Sequence, residues 1–338
     1  MNKKRVLAML LAGAMALSMT ACGGNSASTD DSSNDGGASA SGGSYKVSVI
    51  LKTLAAEYWQ YVKSGAEDYA SEHSDKVTVE VKGPSSETAF DEMQNMIETD
   101  LSSGSYDGVI ISPLQSDTAA QLVSGTKLPI VAIDTNFTAP EVKSFVGTGN
   151  EAAAKKGGEA AVEAAKAAGW TDIKCIEIAG VQGDQTNTAR MNGYKAGVEE
   201  AGGTFLSDEV QYADATADRA TTAMEAIMQT HPEGIAIICA NNDDMAMAAA
   251  RAALGHDAYK NTIFLGFNGD RAACEAILAG QMTMSVAQMA YEMGYKAVET
   301  MVQVLDGETV DEFVDSGSDV VTPDNAQERL DTLKTQLH

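Results

Sequence analysis

Residues 235–254 read IAIICANNDDMAMAAARAAL, and residues 262–270 read TIFLGFNGD. Each opens as an apolar run of strand length and stops at polar side chains, Asn242 and Asp243 in the first, Asn268 and Asp270 in the second. A strand without alternation between polar and apolar residues is buried on both faces, as in a parallel sheet covered by helices. After the first run Met245, Ala248, Ala249 and Ala252 recur at helical spacing. Asn242 or Asp243 then falls at a helix N-cap, where a side-chain oxygen accepts an otherwise orphaned backbone N–H. In open α/β sheets ligands bind beyond the carboxyl ends of parallel strands, so polar residues at two such ends suggest one pocket. Capping alone explains either residue taken singly; recurrence along the chain is what argues for a site.

The same unit recurs in both directions. YKVSVIL leads into a helix holding Tyr58 to Ala70, VTVEVKG into a helical SSETAFDEMQNMIETDLSSG, and DGVIISP into QSDTAAQLVSG, before PIVAID closes a first series. After SFVGTGN a helix from Glu151 to Ala168 begins a second series. It continues through IKCIEIAG, a helix from Thr186 to Ala201, a strand near Gly203 to Val210 and a helix from Ala217 to Thr230. Such alternation predicts parallel sheets with crossover helices. The fold class is α/β, with two doubly wound parallel-sheet lobes.

Lys3, Lys4 and Arg5 precede the apolar VLAMLLAGAMALSM and the small residues Thr20 and Ala21, the pattern of a secretory signal over residues 1–21. Its apolar stretch is shorter than the about 20 residues a membrane span needs. Residues 22–44, from Cys22 through GGNSASTDDSSNDGGASASGGS, hold nothing able to build a core and read as a flexible tether. The formal charge of −25 becomes −28 once Lys3, Lys4 and Arg5 are removed, which disfavours nucleic acid, since phosphate binding relies on Lys and Arg. About 290 residues remain, enough for one large or two ordinary cores.

Cys175, Cys239 and Cys274 follow Cys22. An odd number in an exported chain allows one disulfide and one free thiol, while the strand-like runs around Cys175 and Cys239 favour small buried apolar residues. The His residues share no metal-ligand spacing, and His73 and His231 fall at helix ends. No metal and no cofactor is expected.

The other strand ends repeat the opening feature. Lys52 ends the first strand, just before the aromatic pair Tyr58 and Trp59; Asp134 ends PIVAID; Arg190 lies near a helix start in TNTARMNG; Gln288 ends TMSVAQ. Asp, Asn, Arg and Gln make paired hydrogen bonds, and Tyr or Trp offers a flat apolar face, the combination that suits a sugar ring.

From Tyr45 to about Thr322 the chain resembles the type I substrate-binding proteins of bacterial ABC sugar importers, in EYWQYVKSGAEDYA, GVIISPLQSD, PIVAID, TARMNGY, CANNDDMAMAA, GFNGD and VAQ, taken in order. The resemblance implies that Tyr58 and Trp59 sandwich a sugar, that Asp134, Arg190, Asn242 and Gln288 bond its hydroxyls, and that Lys52 and Asn268 join them. Ribose-type members carry Asp where Asn268 stands, and arabinose-type members carry Asn there and Lys where Lys52 stands. Ala56 replaces a polar residue that many relatives use, and Ala215 stands where ribose-type members present a third aromatic, which argues against ribose; with Asn268 and Lys52, an arabinose-like pentose or hexose is expected over it. The resemblance further implies an N-terminal lobe of 45–149 plus 289–312 and a C-terminal lobe of 150–288 plus 313–338. A three-strand hinge near Gly149, Gln288 and Phe313 would join them. Cys22 resembles a lipobox cysteine, with Met19 where Leu is usual, implying lipid anchoring outside the cytoplasm. The expected partners are the sugar, an importer permease and, through lipid, the membrane, with the chain a monomer.

An enzyme is not indicated: there is no nucleophile–base arrangement, no G-x-S-x-G, and no G-x-G-x-x-G after a strand. The GTGN and AGVQGD turns lack the P-loop Lys. A sugar-responsive repressor would need a DNA-binding domain where this chain has its export signal. A sensor presenting sugar to a membrane receptor or kinase, and a binding protein for a polyol or nucleoside, stay open as alternatives.

Overall fold

The computed structural model describes residues 44–337. The signal-like segment, Cys22 and the tether up to residue 43 lie outside the described residues. The first series comprises β1 (Tyr45–Ile50), α1 (Glu57–Glu72), β2 (Val77–Lys82), α2 (Phe90–Ser103), β3 (Gly108–Ile111), α3 (Ser116–Val123), β4 (Ile130–Ile133) and β5 (Val142–Gly147). The second comprises α4 (Asn150–Ala167), β6 (Lys174–Ala179), α5 (Gln185–Glu200), β7 (Thr204–Phe205), β8 (Gln211–Tyr212), α6 (Ala217–Thr230), β9 (Ile237–Ala240), α7 (Asp243–Ala252), β10 (Ile263–Asn268), α8 (Arg271–Leu278) and β11 (Met284–Gln288). The chain closes with α9 (Ala290–Leu305), β12 (Phe313–Asp315), β13 (Ser318–Val321) and α10 (Ala326–Gln336).

Two sheets result, ordered β12-β5-β4-β3-β1-β2 and β13-β11-β10-β9-β6-β7, with β8 also pairing β6. Every pairing is parallel except β11 with β13. The inner strands β3, β4 and β9 are buried at every position, which is why their sequences lack alternation. The strand expected over Gly203 to Val210 is broken, because Ser207–Glu209 form a 3-10 turn between β7 and β8.

The return of α9 to the first lobe depends on two glycines. A Cβ on Gly65 of α1 would lie 1.9 Å from the Tyr291 carbonyl oxygen, and one on Gly294 of α9 would lie 1.9 Å from that of Val62. The two backbones approach so closely that only glycine fits at either point.

The chain passes between lobes after β5, after β11 and after β12. Phe313–Asp315 was expected in the C-terminal lobe and the third passage near Phe313. Instead β12 runs parallel to β5 in the first sheet, with the Phe313 ring stacked 5.4 Å from that of Phe145 and the Ser144 hydroxyl bonded to the Asp311 carbonyl at 2.7 Å. These contacts carry the strand past Phe313, and the passage falls at Ser316 and Gly317. The three passages lie side by side: Ser316 N–H donates to Gly147 O at 2.8 Å, the Thr148 and Ser316 hydroxyls are 3.3 Å apart, and Gln288 at the end of β11 pairs with Ser318 of β13.

Candidate functional site

The carboxyl ends of both sheets face a common cleft. On the N-terminal side Lys52 follows β1 and Asp134 follows β4, with Tyr58 and Trp59 in the first turn of α1. On the other side Arg190 projects from α5, Asn242 follows β9, and Asn268 and Gln288 end β10 and β11. Asp134 and Asn268 take φ of 62° and 138°, conformations non-glycine residues rarely adopt. Such strain persists only where the surroundings hold it, and it gathers at binding sites.

Asp134 is the centre of the N-terminal half. The Tyr58 hydroxyl donates to its Oδ1 at 2.9 Å and that of Thr135 to its Oδ2 at 2.8 Å, while Lys52 Nζ stands 3.9 Å away. Lys52 also lies 3.7 Å from Asp184, across the cleft. Burial by itself would lower the Lys52 pKa, but Asp184, then Asp134 and Glu87, outweigh it and hold the amine above its ordinary value, so it is charged. Burial, reinforced by Asp134, raises the Tyr58 phenol well above its usual range and keeps it a donor. The Trp59 indole N–H donates to Glu87 at 2.8 Å. The two rings meet edge to face, with centroids 4.9 Å apart at 82°. This edge-to-face contact fixes the two rings against each other at the start of α1.

Arg190 is held on three sides. Its Nε donates to Asn150 Oδ1 at 2.8 Å, its Nη1 to Asn241 O at 2.9 Å, and its guanidinium lies 3.8 Å over the Phe267 ring centroid. Only 6% of it is exposed, so it is no solvated surface charge. Asn242 caps α7, accepting Met245 N–H at 2.9 Å, and its amide donates to Ala215 O at 3.1 Å. Asn242 is thus a cap, with one hydrogen bond accepted by its oxygen and one donated by its nitrogen. Gln288 Nε2 donates to Asn268 Oδ1 at 2.9 Å, so the two form one amide pair. The turn beneath them rests on Asp243, which accepts Gly269 N–H at 2.7 Å and the Ser285 hydroxyl at 2.6 Å.

The structure adds residues that sequence reasoning did not select: Asp184, Asn150, Asn241, Phe267 and Glu87. Asp184 could have been noticed as the N-cap of α5, accepting Asn187 N–H at 2.7 Å. Asn150 opens α4 and carried the same kind of signal. Asn241 was masked by its neighbour, and Phe267 reads only as core.

The lobes touch across the cleft. Besides Lys52 and Asp184, the Thr135 and Thr186 hydroxyls are 3.2 Å apart, and at the rim Arg271 Nε lies 3.1 Å from Glu57. This is a closed arrangement. Cys175, Cys239 and Cys274 are free and buried, with the Cys175 and Cys239 sulfurs 3.4 Å apart on neighbouring strands. His73 and His231 occupy the C-caps of α1 and α6. Among the described residues no cluster of His, Cys, Asp or Glu could hold a metal, and no helix is long and apolar enough to cross a membrane.

Two parallel-sheet lobes, three adjacent passages and a polar cleft at the strand ends define a type I binding-protein fold, built to enclose a solute rather than to transform one. A family described as "Periplasmic binding protein domain" matches residues 47–309, and the chain belongs to that family. It is similar to the D-allose-binding periplasmic protein of Escherichia coli, at 30% identity over 75% of this chain and 83% of that protein. It is also similar to the Ribose import binding protein RbsB of the same species, at 27% identity over 78% and 86%. Among solved structures, a carbohydrate transporter solute binding protein from Agrobacterium radiobacter in complex with D-arabinose shares the fold. Its TM-score is 0.76 at 23% identity, over 87% of this chain and 99% of that one.

Proposed function

We propose that this chain captures a monosaccharide between its lobes and hands it to an ABC importer, acting as a monomer outside the cytoplasm and anchored by lipid on Cys22. The observation that carries the reading is the convergence of Lys52, Tyr58, Asp134 and Arg190, all largely buried, from two lobes that meet at Lys52 and Asp184. Buried donors and acceptors of both signs suit a neutral polyhydroxylated ligand, and the names of the allose and ribose relatives support it. Tyr58 and Trp59 supply the apolar contact, and Asn242 contributes what its cap leaves free.

Asn268 shapes the choice of sugar. Its Oδ1 already accepts from Gln288, so its Nδ2 protons are what it offers a ligand, whereas Asp at that position could only accept. This supports an arabinose-like pentose or hexose over ribose. Closure is a hinge motion, and a ligand stabilises the closed state only by its greater affinity for it.

A panel of aldoses, ketoses, polyols and nucleosides tests the reading by thermal denaturation. A cognate sugar at a hundredfold excess over its dissociation constant should add about 2.7 kcal/mol of stability. Arg190→Ala should remove that gain. Silence across the panel, or undiminished binding by the variant, would sink the assignment.

A further inference from the structure

Asn268 and Gln288 end neighbouring strands, and the backbone turns sharply after each. Gly269 has φ of 64° and opens the turn into α8, while Met289 opens the second passage between lobes. One side chain from the last helix reaches all three positions. Arg329 of α10 donates from Nε to Gly269 O at 3.1 Å and from Nη2 to Gln288 O at 2.7 Å, and its Nη1 lies 3.2 Å from Met289 Sδ. Its contacts are to carbonyl oxygens and sulfur rather than to a carboxylate. Arg329 is half-buried, and it makes its hydrogen bonds at one point of the fold. Asp243 accepts Gly269 N–H from the other side, so that residue is held at both its N–H and its C=O.

We propose that Arg329 is a positioning residue for ligand recognition. It sets the Asn268–Gln288 amide pair in the cleft and ties that pair to the passage at Met289, so that ligand contact and lobe closure share one guanidinium. The inference rests on the reading of Asn268 and Gln288 as ligand contacts. The two carbonyls are met by two separate nitrogens of a rigid planar fork, a spacing that the single ammonium nitrogen of Lys does not reproduce.

Calorimetric titration of the full chain with D-allose, D-ribose and D-arabinose tests it, using Arg329→Gln and Arg329→Lys. Both should weaken whichever sugar binds by roughly ten- to a hundredfold, the range for lost hydrogen bonds to a charged group. In a Gln288→Ala background the further loss from Arg329→Gln should fall below about threefold, since coupled residues do not add. An equal loss in both backgrounds, or unchanged affinity, overturns the proposal. Hydrogen exchange without sugar separates this from the sugar reading: amides at 269–270 and 289–290 should exchange faster in Arg329→Gln while the rest of the lobe keeps its rates. That result supports the clamp even if none of the three sugars binds, an outcome that counts against allose, ribose and arabinose as the ligand. Unaltered exchange there, or a uniform rise across the lobe, overturns the clamp.

Discussion

Glu177 lies midway along β6, fully buried, with neither carboxyl oxygen hydrogen-bonded among the described residues. It pairs in register with Cys239 of β9, and the positive charge of Arg190 on α5 acts on it electrostatically. Burial pushes its pKa from 4.5 up to about 8, with Arg190 pulling the other way. At neutral pH the folded protein therefore holds this acid protonated, whereas the unfolded chain ionises it. The folded state binds the extra proton, so the stability contributed by this group is fully present below the unfolded value near 4.5 and is lost as pH rises towards about 8. A displacement of that size corresponds to at most about 5 kcal/mol, with a limiting slope of roughly 1.4 kcal/mol per pH unit. Glu177→Gln keeps the shape and removes the titration. Denaturant unfolding of both proteins from pH 4 to 9 should show them nearly equal at the acid end. The variant should gain on the wild type through the neutral range and level off above about pH 8. Asp243 and Asp270 are also raised by burial, and both are unchanged in the variant, so the difference curve isolates Glu177. A flat difference across that window would mean that Glu177 is ionised in the fold and would refute the reasoning.

Gly65→Ala should destabilise by about 3 kcal/mol, because its methyl meets the Tyr291 carbonyl and α1 and α9 must separate; a melting temperature within a degree or so of wild type would contradict that packing. Cys22→Ser, expressed in the native host, should move the protein from the membrane fraction to the soluble exported fraction on fractionation, and continued membrane association would remove the lipid anchor.

Much of this protein was legible along the chain. Fully apolar runs such as Ile130–Ile133 and Ile237–Ala240 are diagnostic of strands covered on both faces, and polar residues at their ends are local features of a βα turn. The cap at Asn242 follows from the same local chemistry. Phe313 was misplaced because a three-residue edge strand carries almost no periodicity, and its sheet is chosen by a ring on Phe145 far back in sequence.

What the sequence determined by itself was therefore the alternation, the parallel sheets and the list of strand-end residues. These depend on neighbours within a few positions. Only the tertiary structure decided which of those residues have donors to spare. Arg190 leans on Phe267, Asn150 and the Asn241 carbonyl, Lys52 meets Asp184 from the other lobe, and Asn268 is paired with Gln288 above a turn held by Asp243 and Arg329. These partners are remote in the chain, and hydrogen bonding in a closed cleft depends on direction and distance, which no spacing along a single strand or helix encodes.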